Sequence, residues 1–594
     1  MIVSILASVF LVLACLFVLS GFYVVKKTSE PLIGISWIIA SIIALTCWHA
    51  LVAALINLVS IPVNAWSMGI ADVLLGAAMW FLVRRSRSVQ QYVYHIADAI
   101  VTAGLVLFAV LFFALHTGGA QFRLHYATID PSVRLMQAVD VVNTHSVESM
   151  FYHALTNGLL MQILGPATTV DYYYKIFVFS DGLFLVLAGL MFYGTIRHLL
   201  KTRLQMVLGI VVAALYLTAY PLNSTLYGFT YLGMGIIIIC YLVFVADSYM
   251  RDELGMWQAA TLLMLGCLAL ILCYSMFAPV VFIGIIAMLW LKQTERKRLL
   301  TVETVLLSLA VFLVPVVLGI VYSYSGIFTG GLTVGDAITG EGACYRDLFS
   351  NFLPFLPLAA FGVLKCARSR NLPTPAIMAV PLLFFMAGLL VMGLMGKVSS
   401  YYYYKTYNLA WFVVMYLLVV GIGKIANRET AVMMTIYGVV WALVFGLAMS
   451  GIDYRLWDRY RSFNQSTKAI FMNDIYNWNK SKLKEPGGLS PDQMALYHYV
   501  YNTYSSTGAP AVPIVSYWED AFWYQAISNQ RGNDWVSTNF KKPGSVIDMV
   551  QSSGSRYVLV LTNEVSLSYE TNKQYFDSLN RVFQNDAGFV AELA

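Results

Sequence analysis

The stretch "IDPSVRLMQAVD", residues 129–140, sets Asp130, Arg134 and Asp140 close together in the chain. A carboxylate held beside a hydroxyl can take its proton as a general base. Arg134 lies one helical turn beyond Asp130, where it can pair with that carboxylate or hold a phosphate. Asp140 follows ten residues after Asp130. That places it near the same helix face, so two carboxylates can flank one site. The plainer reading makes Asp130 a helix cap with Pro131 at the first helical position, and Asp140 part of a solvated face. A cap and a base are compatible, because capping also fixes the carboxylate.

A second stretch, "SSYYYYKTYNLAW" at 399–411, puts a lone lysine behind four tyrosines. Tyrosine settles at membrane interfaces, so an interface belt with a snorkelling lysine is the plain reading. Four in a row exceed what a belt needs. The others must face the protein interior, where Tyr402, Tyr403 and Tyr404 can hydrogen-bond sugar or phosphate oxygens. Lys405 is then a point charge for a phosphate or pyrophosphate. "DYYYKIF", 171–177, repeats the theme with Lys175. Arg346 adds a cation, and His145 and Glu341 add polar contacts for a substrate. His145, Glu148 and His153 do not share one helical stripe and nothing resembles HExxH, so no metal site is expected.

The elements that position these residues must sit in lipid. The chain has 594 residues, of which 59% are hydrophobic and 11% charged, and its mean hydropathy is +0.70. Soluble domains carry about 25% charged residues. Apolar runs such as "MIVSILASVFLVLACLFVLSGFYVV" are long enough for spanning helices, and no alternating barrel pattern appears. We expect a polytopic α-helical membrane protein with about fourteen spans. The net charge of +6 lies between spans, so it does not point to nucleic acid. The seven cysteines are scattered without a CxxC pair, so no disulfide framework is expected. The N-terminus lacks a basic n-region, which argues against a cleaved signal peptide.

Basic clusters recur at every second span boundary, from Lys26-Lys27 to Lys424 and Arg428. By the positive-inside rule this puts the N-terminus outside, with loops 117–171, 323–350 and 398–408 and everything after about residue 451. Residues 1–450 are expected to form the membrane domain. Residues 451–594 are polar and read as a small extracytoplasmic α/β domain. "SPDQMALYHYVYNTY" opens with a capping box, Ser490 to Gln493. "VPIVSY", "RYVLVLT" and "GFVAEL" read as strands, and "YETNKQYFDSLNRVF" as an amphipathic helix. "ESMFYHALTNGLLMQIL" is amphipathic and is expected to lie in the interface plane. No Walker A loop, GxSxG elbow or dinucleotide fingerprint is present.

This organisation resembles the GT-C class of membrane glycosyltransferases. The likeness covers the whole chain in architecture and rests on few residues. "IDPSVRLMQA" is similar to an early-loop acidic motif of bacterial members, and "SYYYYKT" to a late-loop tyrosine-lysine motif. The sequence departs from better-known members in two ways. About three more spans precede the acidic loop, and Asp130 stands alone beside Pro131 where an acidic pair is usual.

The resemblance implies a GT-C fold in a bacterial plasma membrane and a sugar donor on a polyprenyl phosphate. It implies an inverting transfer to a cell-envelope glycan or protein acceptor on the outer face. Asp130 would be the base and Asp140 the second candidate. Lys405, Arg134 and Arg346 would stabilise the leaving phosphate. No nucleotide or redox cofactor is needed, a divalent metal stays open, and no nucleic-acid partner is expected. A polymerase or ligase of lipid-linked glycans, or a transporter for them, remains open at this point.

Overall fold

The computed structural model describes the chain except residues 23–31, 87–90, 118–125, 167–171, 296–300, 325–338, 341, 348–350, 370, 426, 451–452, 456–463, 467–474, 485–488, 506–510, 516–517, 531–545, 563–566 and 594. Glu341 therefore lies outside the described residues, as do Arg123, His125, Asp171 and Asp336.

The chain opens with α1 (Ile2–Phe22), α2 (Gly34–Leu58), α3 (Ala65–Ser86) and α4 (Ile96–His116). Between them, β1 (Leu32–Ile33) and β2 (Tyr92–Val93) pair in parallel. Two short helices follow, α5 (Asp130–Thr144) and α6 (Tyr152–Leu164). The bundle continues with α7 (Tyr173–Ile196), α8 (Arg203–Thr218), α9 (Tyr220–Tyr227), α10 (Thr230–Met250), α11 (Met256–Tyr274), α12 (Ala278–Glu295) and α13 (Val302–Gly319). It closes with α14 (Leu356–Arg368), α15 (Thr374–Leu394), α16 (Ser400–Lys405), α17 (Tyr407–Lys424) and α18 (Asn427–Ser450).

Among the described residues, eleven segments are long and apolar enough to cross a membrane. One of them, Met256–Thr294, contains both α11 and α12, joined by a 3-10 turn at Ser275–Phe277. The expected count of about fourteen is reached only if α14 and α18 cross as well. At 1.5 Å per residue α14 is only about 20 Å long. Large apolar side chains such as Leu74, Leu383 and Phe384 are exposed on the bundle surface. Lipid solvates such a surface at little cost, whereas water does not.

The central helix is α10, 94% buried over its span. Nearby, α14 and α17 cross closely at two glycines: a Cβ on Gly421 would fall 2.2 Å from the Leu358 carbonyl oxygen. This small-residue crossing anchors α17, and with it the lysine at the end of α16. α6 is more enclosed than its amphipathic pattern suggests. Most of its residues are buried, because α1, α5 and α7 pack around it. It therefore does not present a free polar face.

After α18 come the short hairpin β3 (Asp453–Arg455) and β4 (Asn464–Ser466), then α19 (Ile475–Lys484), α20 (Pro491–Val500), α21 (Trp518–Ser528) and α22 (Val546–Ser552). The Ser490–Gln493 capping box forms, with Ser490 Oγ accepting from the Gln493 amide and Pro491 in the first turn. A sheet of β5 (Ala511–Ile514), β6 (Tyr557–Leu561), β7 (Asn580–Asn585) and β8 (Gly588–Glu592) runs in the order β5-β6-β8-β7. β5 and β6 are parallel and the other pairs antiparallel.

The helix expected over "YETNKQYFDSLNRVF" is not continuous. It breaks into turns at 567–571 and 573–577, and its end becomes β7. The tight turn before Gly588, whose φ is +156°, folds β7 back onto β8 instead. Strand pairing there outweighs the local helical periodicity.

One sheet face buries Val512, Ile514, Val558, Val560 and Phe589 under α22. The other buries Leu559, Leu561 and Val590 against α20 and α21, and this core continues into Leu135, Ala138 and Val139 of α5 and Tyr173, Tyr174 and Phe177 of α7. The terminal α/β unit thus grips the helix that begins at Asp130.

Candidate active site

The first turn of α5 is held from below by the turn between α9 and α10. Ala127 N donates to the Leu226 carbonyl at 3.0 Å, and Thr128 Oγ1 to the Tyr227 carbonyl at 2.6 Å. Gly228 makes that turn with a φ of +81°, and a Cβ there would lie 2.0 Å from Pro131 Cγ. Only glycine satisfies both the left-handed backbone and the close approach of Pro131.

The consequence for Asp130 departs from the capping reading. The residue at the N-cap position is Ile129, without a side-chain cap, and Asp130 opens the helix itself. Its carboxylate points elsewhere: the Tyr231 hydroxyl donates to Asp130 Oδ2 at 2.9 Å. Oδ1 has no protein partner among the described residues, and Asp130 is half-buried.

Tyr231, in the first turn of α10, joins three parts of the chain. Lys405 Nζ donates to the same hydroxyl at 3.1 Å. The Arg134 guanidinium stacks over the Tyr231 ring, 4.2 Å from its centroid, and donates to Gln137 Oε1 at 2.8 Å. A base candidate and a buried cation are therefore linked through one phenol.

Lys405 is 5% exposed. Its ammonium lies 4.1 Å from the centroid of Tyr401 and 4.2 Å from that of Phe229. Cation–π attraction offsets part of its desolvation. Tyr401 and Lys405 are four residues apart on α16, so they share a helix face. Ser399 Oγ caps the start of this helix by accepting from the Tyr401 amide at 3.1 Å.

Buried cations elsewhere in the bundle are met directly by carboxylates. Arg197 Nε sits 3.0 Å from Asp98, and Lys292 Nζ 3.1 Å from Asp252. Among the described residues, Lys405 reaches a carboxylate through Tyr231. Two of its three N–H groups have no acceptor among the described residues, which suits an anionic ligand.

Arg346 borders this group. It donates to Ser400 Oγ at 3.1 Å and to the Gly342 carbonyl at 3.0 Å, and lies 5.9 Å from the Tyr404 centroid. The tyrosine row divides. Tyr401 faces Lys405, and half-buried Tyr402 packs edge-on against Tyr401 at 5.2 Å. Tyr403 and Tyr404 turn inward to Tyr407, with a 3.1 Å hydroxyl contact between Tyr403 and Tyr407. Tyr403 and Tyr404 are thus core residues behind the site.

Asp140 and His145 stand apart. Asp140 is about 15 Å farther along α5 at the helical rise, so the two carboxylates do not flank one small group. His145 ends α5 in a left-handed conformation, φ 54°. It lines a separate cavity of about 300 Å³ with Ser4, Asn64, Trp66, Gln162 and Tyr173.

His153 on α6 is closer to the chemistry. It is buried and bonded to Asn157. Burial pushes its imidazole down to about 3, and the Arg134 charge adds to the effect. It is neutral at ordinary pH.

Sequence reading missed Tyr231 and Tyr401. Tyr401 had a signal in its spacing to Lys405. Tyr231 had none, being one aromatic inside the run "GFTYLGMG".

No protein-family model matches the chain, and no curated protein matches it. Among solved structures, the chain is similar to the crystal structure of ArnT from Cupriavidus metallidurans bound to undecaprenyl phosphate. The identity is 11%, the match covers 83% of this chain and 97% of that chain, and the TM-score is 0.47.

Proposed function

We propose that the protein is a membrane glycosyltransferase of GT-C type that moves a sugar from a polyprenyl-phosphate donor to an acceptor hydroxyl on the outer face of the plasma membrane. The observation that carries the reading is the convergence of Asp130, Arg134, Tyr231 and Lys405. The bonds that join them link residues 101 and 174 positions apart in the chain. They meet at one end of a bundle of membrane-length apolar helices.

The acceptor hydroxyl attacks the anomeric carbon as Asp130 Oδ1 takes its proton. The bond from that carbon to the phosphate oxygen breaks, and its electron pair stays on the polyprenyl phosphate. Lys405 and Arg134 stabilise the charge that develops there, with Arg346 at the border. Preorganised cations in a site screened from water act far more strongly than in solution. Tyr231 holds the base and the lysine in register. The terminal α/β unit fixes α5 and offers a surface for a glycan or protein acceptor.

The experiment is product formation by the purified chain in lipid, over a panel of polyprenyl-phosphate sugars and acceptors. A new glycosidic bond, with release of polyprenyl phosphate, supports the reading. Lipid binding or movement across the bilayer with no bond formed on any donor rejects it in favour of transport.

A further inference from the structure

On other helices, α1, α2 and α3 meet around a buried carboxylate. Asp72 is fully buried. Its Oδ2 is 2.9 Å from His49 Nε2 and 3.4 Å from Cys15 Sγ. Its other oxygen, Oδ1, accepts from Trp48 Nε1 at 3.1 Å. One sulfur, one nitrogen and one oxygen from three helices lie within 4.8 Å of one another.

We propose that Cys15, His49 and Asp72 bind one divalent transition-metal ion, with zinc the best fit. Three arguments converge. The donor set is thiolate, imidazole and carboxylate, the mixture zinc accepts and magnesium or calcium does not. Metal–ligand bonds of about 2.0–2.3 Å put tetrahedral donor atoms roughly 3.3–3.8 Å apart, and two of the three edges here are already close to that scale. Trp48 holds the carboxylate from behind, as outer partners of metal-binding carboxylates do.

Electrostatics points the same way. A carboxylate away from water is costly unless it is compensated. A thiolate and a carboxylate together carry two negative charges, which a dication cancels. On loading, the Cys15 thiol releases its proton. His49 carries its one ring proton on Nδ1 and coordinates through Nε2. Uptake therefore weakens as pH falls. The ion would pin α1, whose span is only 28% buried and which is otherwise largely exposed on the bundle surface. The alternative occupant of the same geometry is a metal-free hydrogen-bond network around Asp72.

The test uses the full chain, purified without metal, titrated with Co²⁺ and then desalted. Wild type is expected to retain one cobalt per chain and to show thiolate-to-cobalt charge-transfer absorption that zinc abolishes. Cys15→Ser is expected to lose that absorption, while Cys47→Ser, elsewhere on α2, keeps it. Trp48→Phe is expected to weaken binding about 10- to 100-fold. Absence of stoichiometric cobalt in wild type, or a thiolate band that survives Cys15→Ser, overturns the proposal. If Cys15→Ser does not fold, Trp48→Phe decides the point, and cobalt affinity unchanged in that variant overturns the proposal.

Discussion

In "DYYYKIF" Lys175 follows three tyrosines in the first turn of α7, and in "SYYYYKT" Lys405 follows four at the end of α16. Both lysines lie near tyrosine rings: Lys175 is 4.8 Å from the Tyr172 centroid and 5.9 Å from that of Tyr174. Their surroundings differ. Tyr173 and Tyr174 are taken into the core shared with the terminal sheet. Lys175 stays half-buried, and Tyr172 is exposed. Lys405 instead meets Phe229 and Tyr231 from α10 and its preceding turn, and through Tyr231 it meets Asp130. A lysine behind tyrosines is a common interface device. What distant segments bring to it decides whether chemistry is available.

The comparison breaks or sharpens under substitution. The largest effect is expected at the carboxylate that only the second cluster reaches. Asp130→Asn should cut turnover by roughly 10²- to 10⁴-fold, the usual scale for a lost general base, with donor still bound. Lys405→Ala should cost about 10²- to 10³-fold in kcat/KM, measured with varied donor. Tyr231→Phe keeps both charged groups and loses the bridge. About 10- to 100-fold is expected in steady-state rate, the scale of a hydrogen bond to a charged group. Lys175→Ala should stay within about twofold in the same assay, because a half-buried lysine over the exposed Tyr172 ring contributes little. Equal losses at Lys175 and Lys405 would erase the distinction.

A smaller effect concerns stability. His153 has a folded pKa of about 3, below the ordinary 6.5, through burial and then the charge of Arg134. Between those values the unfolded chain binds the proton and the folded chain does not. Stability therefore falls as pH drops through that window. The thermal midpoint in detergent should drop between about pH 7 and about pH 5, and His153→Gln should flatten part of that slope.

The sequence made some of this legible. Apolar runs located the bundle, and the Ser490–Gln493 box and the strands at 557–561 and 588–592 form as read. Asp130, Arg134 and Lys405 were legible as charges near span ends. Other features arise only from long-range packing. The segment from Asn580 carries a helical pattern, and pairing with β8 overrides it. The grip of the terminal sheet on α5 depends on residues more than 300 positions apart, Leu135 and Leu489 among them. Cys15, His49 and Asp72 look in sequence like isolated polar residues in three spans, since their spacing matches no ligand motif.

The most direct measurement pairs equilibrium donor binding with single-turnover transfer for wild type and Asp130→Asn. The account predicts that the variant binds a polyprenyl-phosphate sugar as wild type does and fails to transfer it. Transfer by Asp130→Asn at the wild-type rate would contradict the account and move the base elsewhere.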